Sequence, residues 1–87
     1  MSLQEQFETA AKRLQDNASA ADGLSNEKKL EIYALYKQGL IGDVNTDRPG
    51  MFDMKGKAKW DAWSAKKGTS QEEAQQAYVD LITDLLA

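Results

Sequence analysis

Four α-helices and no strands are what this sequence predicts, and three observations carry the prediction. Apolar residues recur at intervals of three and four in three separate stretches. Helix-starting residues, Ser25 and Ser70, stand before two of them, and a third, Asp53, opens a further helix. The chain of 87 residues is 41% apolar and 29% charged with one Pro, ordinary for one small helical domain.

The first stripe is Leu3, Phe7, Ala10, Ala11 and Leu14, a single helical face that predicts a helix to about residue 16 or 17. From Asp16 to Gly23 the stripe lapses and closes on Asp-Gly, a turn signal, so a loop is expected. Ser25 is the expected N-cap of the second helix, with Glu27 near the positive end of its dipole. Leu30, Tyr33, Ala34, Lys37 and Leu40 make one face; Ile32, Leu35 and Tyr36 lie beside and behind it. An apolar surface that wide calls for neighbours on more than one side. Gly39, costing about 1 kcal/mol relative to Ala inside a helix, is read as a frayed end.

Gly42 to Gly50 holds two glycines and the proline, with no helical stripe. It is longer than a usual helix-helix turn and predicts a crossover, so the second and third helices are not simple up-down neighbours. Asp53 can cap a third helix running to about Lys66 or Lys67, with Gly68 as a left-handed stop. Ser70-Gln71-Glu72-Glu73 predicts a capping box on the fourth helix. Its stripe is Ala74, Ala77, Tyr78, Leu81, Ile82 and Leu85.

Composition narrows the chemistry. There is no Cys, hence no disulfide or zinc-thiolate site, and no His, hence neither a His-based triad nor the commonest metal ligand. No catalytic residue, metal or cofactor is expected. Nucleotide-loop motifs are missing around Lys55-Gly56-Lys57. A net charge of −3 argues against a dedicated nucleic-acid binder. No apolar run approaches the roughly 20 residues of a membrane span, and Met1-Ser2-Leu3 opens into polar sequence. A cytoplasmic, monomeric domain without stable membrane insertion is the expectation. The charge is uneven: residues 48–67 hold six bases against two acids, enough to attract a small anion.

Tyr33, Tyr36 and Lys37 project from adjoining parts of the second helix. They suit stacking on a base and holding a phosphate; by spacing alone, core tyrosines beside a solvated lysine are the commoner arrangement. Lys55 and Lys59, one turn apart, fit a solvated basic face and an anion site about equally, since like charges repel unless an anion accepts them. Trp60 and Trp63 read as core, and Lys57, Lys66 and Lys67 as solvated. The residues thus favour a binding module, with a helical protein-interaction domain lacking a small-molecule ligand as the alternative.

The blocks Tyr33-Ala34-Leu35-Tyr36-Lys37-Gln38, Gly42-Asp43-Val44-Asn45, Arg48-Pro49-Gly50 and Lys55-Gly56-Lys57-Ala58-Lys59-Trp60-Asp61-Ala62-Trp63 stand in an order that resembles the acyl-CoA-binding protein family. The likeness runs from Phe7 to about Leu85. It implies a single domain over residues 1–87, an up-down-down-up four-helix bundle that binds medium- and long-chain fatty acyl-CoA. Such a protein acts as an intracellular carrier and pool former and catalyses nothing. The resemblance places Tyr36 on the adenine and gathers Tyr33, Lys37 and Lys59 at the ribose 3′-phosphate. It adds Lys55 and Tyr78 to the CoA site and lines the acyl groove with Phe7, Ala10, Leu14 and Leu30. It leaves both tryptophans structural. This chain departs from the family pattern at Lys29, where many members are apolar, and at Gln15, where a base is often found.

Overall fold

Every α-helix among the described residues starts on a side-chain oxygen. In the computed structural model, which describes residues 2–87, the helices are α1 (Leu3–Asp16), α2 (Asn26–Leu40), α3 (Met54–Ser64) and α4 (Gln71–Leu85). No strand occurs among the described residues. Ser2, Ser25, Asp53 and Ser70 accept the amides of Glu5, Lys28, Gly56 and Glu73 at 3.2, 3.1, 2.9 and 3.1 Å. Each bond satisfies an amide that has no partner within the helix. The reciprocal box expected at Ser70 is only half made: its hydroxyl meets the Glu73 amide and carboxylate, both at 3.1 Å, but its own amide does not donate to that carboxylate. The complete box is at α1, where the Ser2 amide donates to Glu5 Oε1 at 3.4 Å.

Two boundaries differ from expectation. The segment after α1 is not plain loop: Ala18–Ala21 forms one turn of 3₁₀-helix. Helix α3 stops at Ser64 and a turn carries the chain to Gly68, whose φ of 93° only glycine adopts without strain. Lys66, in that turn, is not simply solvated, since its ammonium bonds Glu31 of α2 at 2.6 Å.

Helix α4 packs against both α1 and α2, and α2 also packs against α3. Tyr33 and Lys37 of α2 meet Lys59 and Trp63 of α3 in the same order, so these two helices run parallel and the bundle is up-down-down-up. Gln75, near the start of α4, shows part of the order: its Nε2 donates to Gln4 of α1 and to the Gly39 carbonyl near the end of α2, both at 2.9 Å. So α1 and α4 begin where α2 ends. Phe7, Ala10, Ile32, Leu35, Tyr78 and Ile82 form the core. In α4, Ala77 is exposed and Gln75 buried, contrary to the expected stripe. The seam between α1 and α2 requires a hydrogen-bonding amide at that point, which periodicity of apolar residues does not register.

Gly39 is a close-approach residue and no frayed end. It is buried within α2, and a Cβ there would lie 3.0 Å from Gln75 Cγ and 3.1 Å from the Phe7 ring. Gly39→Ala gains up to ~1 kcal/mol of helix propensity but overpacks a seam at about 1–3 kcal/mol. The expected net effect is a loss of about 1 kcal/mol in urea-induced unfolding. A frayed end would instead be stabilised, so the sign alone decides.

The connection from α2 to α3 is tied down residue by residue. Asp43 Oδ1 accepts the Gly68 amide and Gln38 Nε2, both at 2.9 Å, and Gln38 Nε2 also donates to the Thr69 carbonyl at 2.8 Å. The Gly68 amide first, and Gln38 second, hold the Asp43 carboxyl below its usual range. Arg48 grips Asp61 with two bonds of 2.9 Å, which likewise lowers the Asp61 carboxyl. Trp63 and Trp60 donate their indole N–H groups to the carbonyls of Gly42 and Thr46, both at 2.8 Å. Trp63 is buried, as expected. Trp60 is only half-buried, because its indole lies between the connection and open space.

Candidate functional site

Because α1 and α2 both lean on α4, an open groove of about 640 Å³ is left between them. Small-molecule sites usually fall between roughly 300 and 1,000 Å³. The α1 wall carries Phe7, Ala11 and Leu14, the 3₁₀ turn adds Ala18 and Ala21, and Tyr78 of α4 lies among the lining. The α2 wall is Lys29, Ile32, Tyr33, Tyr36 and Leu40, one helical stripe by its spacing. Three rings hold the interior in register. Phe7 stacks on Tyr36 with centroids 5.6 Å apart and meets Tyr78 edge-on at 5.2 Å; Tyr36 and Tyr78 are 5.7 Å apart. Phe7 and Tyr78 are buried, whereas Tyr36 is half-buried. Burial, and to a smaller extent Tyr36, pushes the Tyr78 hydroxyl up to about 12.

A second cleft, of about 260 Å³, opens between α2, α3 and the anchored connection. Tyr33, Lys37, Lys59, Trp60 and Trp63 line it with Thr46, Asp47, Pro49 and Gly56. Its two ammonium groups rest on aromatic faces: Lys37 lies 5.0 Å from the Trp63 ring centroid and Lys59 5.3 Å from that of Tyr33. Cation–π contacts orient a lysine without neutralising it. Two positive charges thus face one small cleft with a single carboxylate, Asp47, on its wall. Tyr33 lines both spaces, so the apolar groove and the cationic cleft lie side by side.

Of the residues singled out from the sequence, Phe7, Leu14, Tyr33, Tyr36 and Tyr78 meet in the groove, and Tyr33, Lys37 and Lys59 in the cleft. Ala10 is buried in the core, while half-buried Leu30 and exposed Lys55 line neither space. Ile32 occupies the groove wall instead of Leu30, since residues two apart on a helix face nearly opposite ways. Lys29 and Gln15, the two departures from the family pattern, both border the groove. Ala11, Ala18 and Ala21 were missed because alanines carry no chemical signal. The anchoring role of Asp43 was missed although its block was conspicuous. No cluster able to hold a metal ion occurs among the described residues, and no helix is long and apolar enough to cross a membrane.

A four-helix bundle with an apolar groove beside a cationic, aromatic cleft has the layout of a small-molecule-binding domain. The chain belongs to the acyl-CoA-binding protein family: the model of that family, acyl CoA binding protein, matches residues 4–82. An acyl-CoA-binding protein of Ricinus communis is 46% identical, over 99% of this chain and 92% of its own length. Acyl-CoA-binding domain-containing protein 1 of Oryza sativa subsp. japonica is 48% identical over 99% of this chain and 91% of its own. Among solved structures, acyl-CoA-binding protein 2 of Oryza sativa superimposes with a TM-score of 0.89 at 46% identity, covering 98% of this chain and 91% of that one. The protein from Moniliophthora perniciosa gives 0.82 at 37% identity, over 99% and 81%.

Proposed function

We propose that residues 1–87 are a single domain that binds one medium- or long-chain fatty acyl-CoA per chain. It acts as a monomeric carrier and pool former in the cytoplasm, with no catalytic step. The observation that carries the reading is Tyr33, the residue shared by an apolar groove and a two-lysine cleft. A ligand with a long tail and a phosphorylated nucleotide head fits that division. Burying a methylene contributes about 0.8 kcal/mol, so the acyl chain contributes on the order of 10 kcal/mol before ordering costs. The polar cleft then selects the head. In this reading Tyr36 stacks on the adenine, Tyr33, Lys37 and Lys59 hold the 3′-phosphate, and Lys55 approaches the head from the rim. Phe7 and Leu14 support the tail, with Ala10 and Leu30 behind them, and Tyr78 belongs to the CoA part of the site. Calorimetric titration tests it: submicromolar binding of one long-chain acyl-CoA per chain, and far weaker binding of CoA alone, is expected. No heat with either ligand favours a protein-interaction domain.

Two substitutions resolve the head site. Tyr36→Ala is expected to weaken acyl-CoA binding by roughly 1–3 kcal/mol through lost stacking on a base, with the far-ultraviolet helix signal intact. Unchanged affinity removes Tyr36 from the head site. Lys59→Ala is expected to reduce the affinity for acyl-CoA about tenfold more than for acyl-3′-dephospho-CoA, as a charge-assisted bond to phosphate requires. Equal losses would show that Lys59 does not read that phosphate.

A further inference from the structure

The end of the α2–α3 connection and the first residue of α3 hold the largest anomaly of the surface. Phe52 is 95% exposed, and Met51 and Met54 on either side are 72% and 69% exposed. A phenylalanine so exposed touches almost nothing of its own chain, so these side chains add little to stability. They line neither the groove nor the cleft. Contiguous large apolar side chains in water ordinarily mark a contact surface.

The neighbouring charges say what kind. Lys55 and Lys57 follow directly, and neither forms an ion pair among the described residues. Arg48 is already matched by Asp61, and the one acid within the stretch, Asp53, keeps its charge as it accepts the Gly56 amide to cap α3, so the two lysines outnumber it by one. Gly56 also lines the cationic cleft, as does Pro49 ahead of the apolar residues. The feature is thus a short apolar wedge beside unpaired lysines, at the edge of the head-group cleft. Three side chains are too few for a specific protein interface, which needs on the order of 1,000 Å². They are enough for an interfacial lipid contact, where a few apolar residues enter the acyl boundary and flanking lysines meet anionic headgroups.

We propose that Met51, Phe52 and Met54 dock this protein reversibly on an anionic lipid bilayer, with Lys55 and Lys57 on the headgroups and the cationic cleft held beside the membrane surface. Such docking would let an acyl-CoA pass between bilayer and groove, and that consequence rests on the acyl-CoA reading; the docking itself does not.

The test is co-sedimentation of the ligand-free protein with phosphatidylcholine vesicles, with and without about 30 mol % phosphatidylserine. Binding to the anionic vesicles, weakened in about 0.5 M salt, is expected. Met51→Ser with Phe52→Ser is expected to reduce it about tenfold, and Lys57→Glu to reduce it and blunt its salt dependence. The serine variant should keep the wild-type helix signal and its acyl-CoA affinity in solution, but collect acyl-CoA from vesicles more slowly. No binding to anionic vesicles, or binding unaffected by the serine pair, overturns the proposal. So does concentration-dependent dimerisation that the serine pair abolishes, which would make the wedge a contact between copies of this chain. If vesicles bind but acyl-CoA in solution does not, the functional reading fails and the docking surface stands.

Discussion

Replacing Phe7 by alanine is expected to lower the unfolding free energy by about 3–5 kcal/mol, the usual cost of deleting a buried aromatic ring. Phe7 is 1% exposed and lies among the largest fully buried side chains. It joins three helices: it is carried by α1, stacks on Tyr36 of α2 and meets Tyr78 of α4 edge-on. Each aromatic pairing adds about 0.5–1.5 kcal/mol beyond area burial. Gly39, against the ring, has no side chain to move into the space, while water from the open groove can enter it, which places the loss toward the lower end of that range. Urea unfolding reads the loss as a lower midpoint with an unchanged slope. The same substitution is expected to weaken acyl-CoA binding, because Tyr36 loses the ring that fixes its plane. A loss under about 1 kcal/mol would mean that the groove interior is not rigid.

That coupling of stability to the site explains which parts of the molecule were legible in the sequence. The helices were, since their signals are local: Ser25, Asp53 and Ser70 each stand three residues before the amide they cap, and apolar spacing needs no knowledge of partners. Gly39 was misread because its role depends on Phe7 and Gln75, both distant in sequence. Propensity describes a helix alone, whereas the seam it packs into is tertiary. The fourth helix shows the same limit, with Gln75 inside and Ala77 outside. For the site, tyrosines and lysines announced themselves by chemistry, but the angle of α2 did not. Its groove wall is Lys29, Ile32, Tyr33, Tyr36 and Leu40, while Ala34 and Leu35 are buried. A helix that is apolar on most sides leaves that choice to its neighbours. The anchoring of the α2–α3 connection through Asp43 and Arg48 was invisible for the same reason: both partners lie across the fold.

The remaining large effect is a loss of stability in strong alkali traced to one hydroxyl. Burial, with a smaller push from Tyr36, raises Tyr78 to about 12, against about 10 for a tyrosine in an unfolded chain. Between those values the unfolded chain gives up the proton and the folded chain keeps it. The folded state therefore binds more protons, and the unfolding free energy falls as pH rises. Below about pH 10 the contribution is fully present; it is lost progressively as the pH climbs toward 12. At about 1.36 kcal/mol per pH unit, the whole window is worth roughly 2.5 kcal/mol. Lysine deprotonation occurs in the same range, so wild type alone does not isolate the effect. Tyr78→Phe keeps the ring against Phe7 and Tyr36 and removes the ionisable group. Urea midpoints compared near pH 9 and pH 11.5 should fall markedly more for wild type than for the variant. Parallel falls would show that the Tyr78 hydroxyl reaches water and ionises as freely as in the unfolded chain.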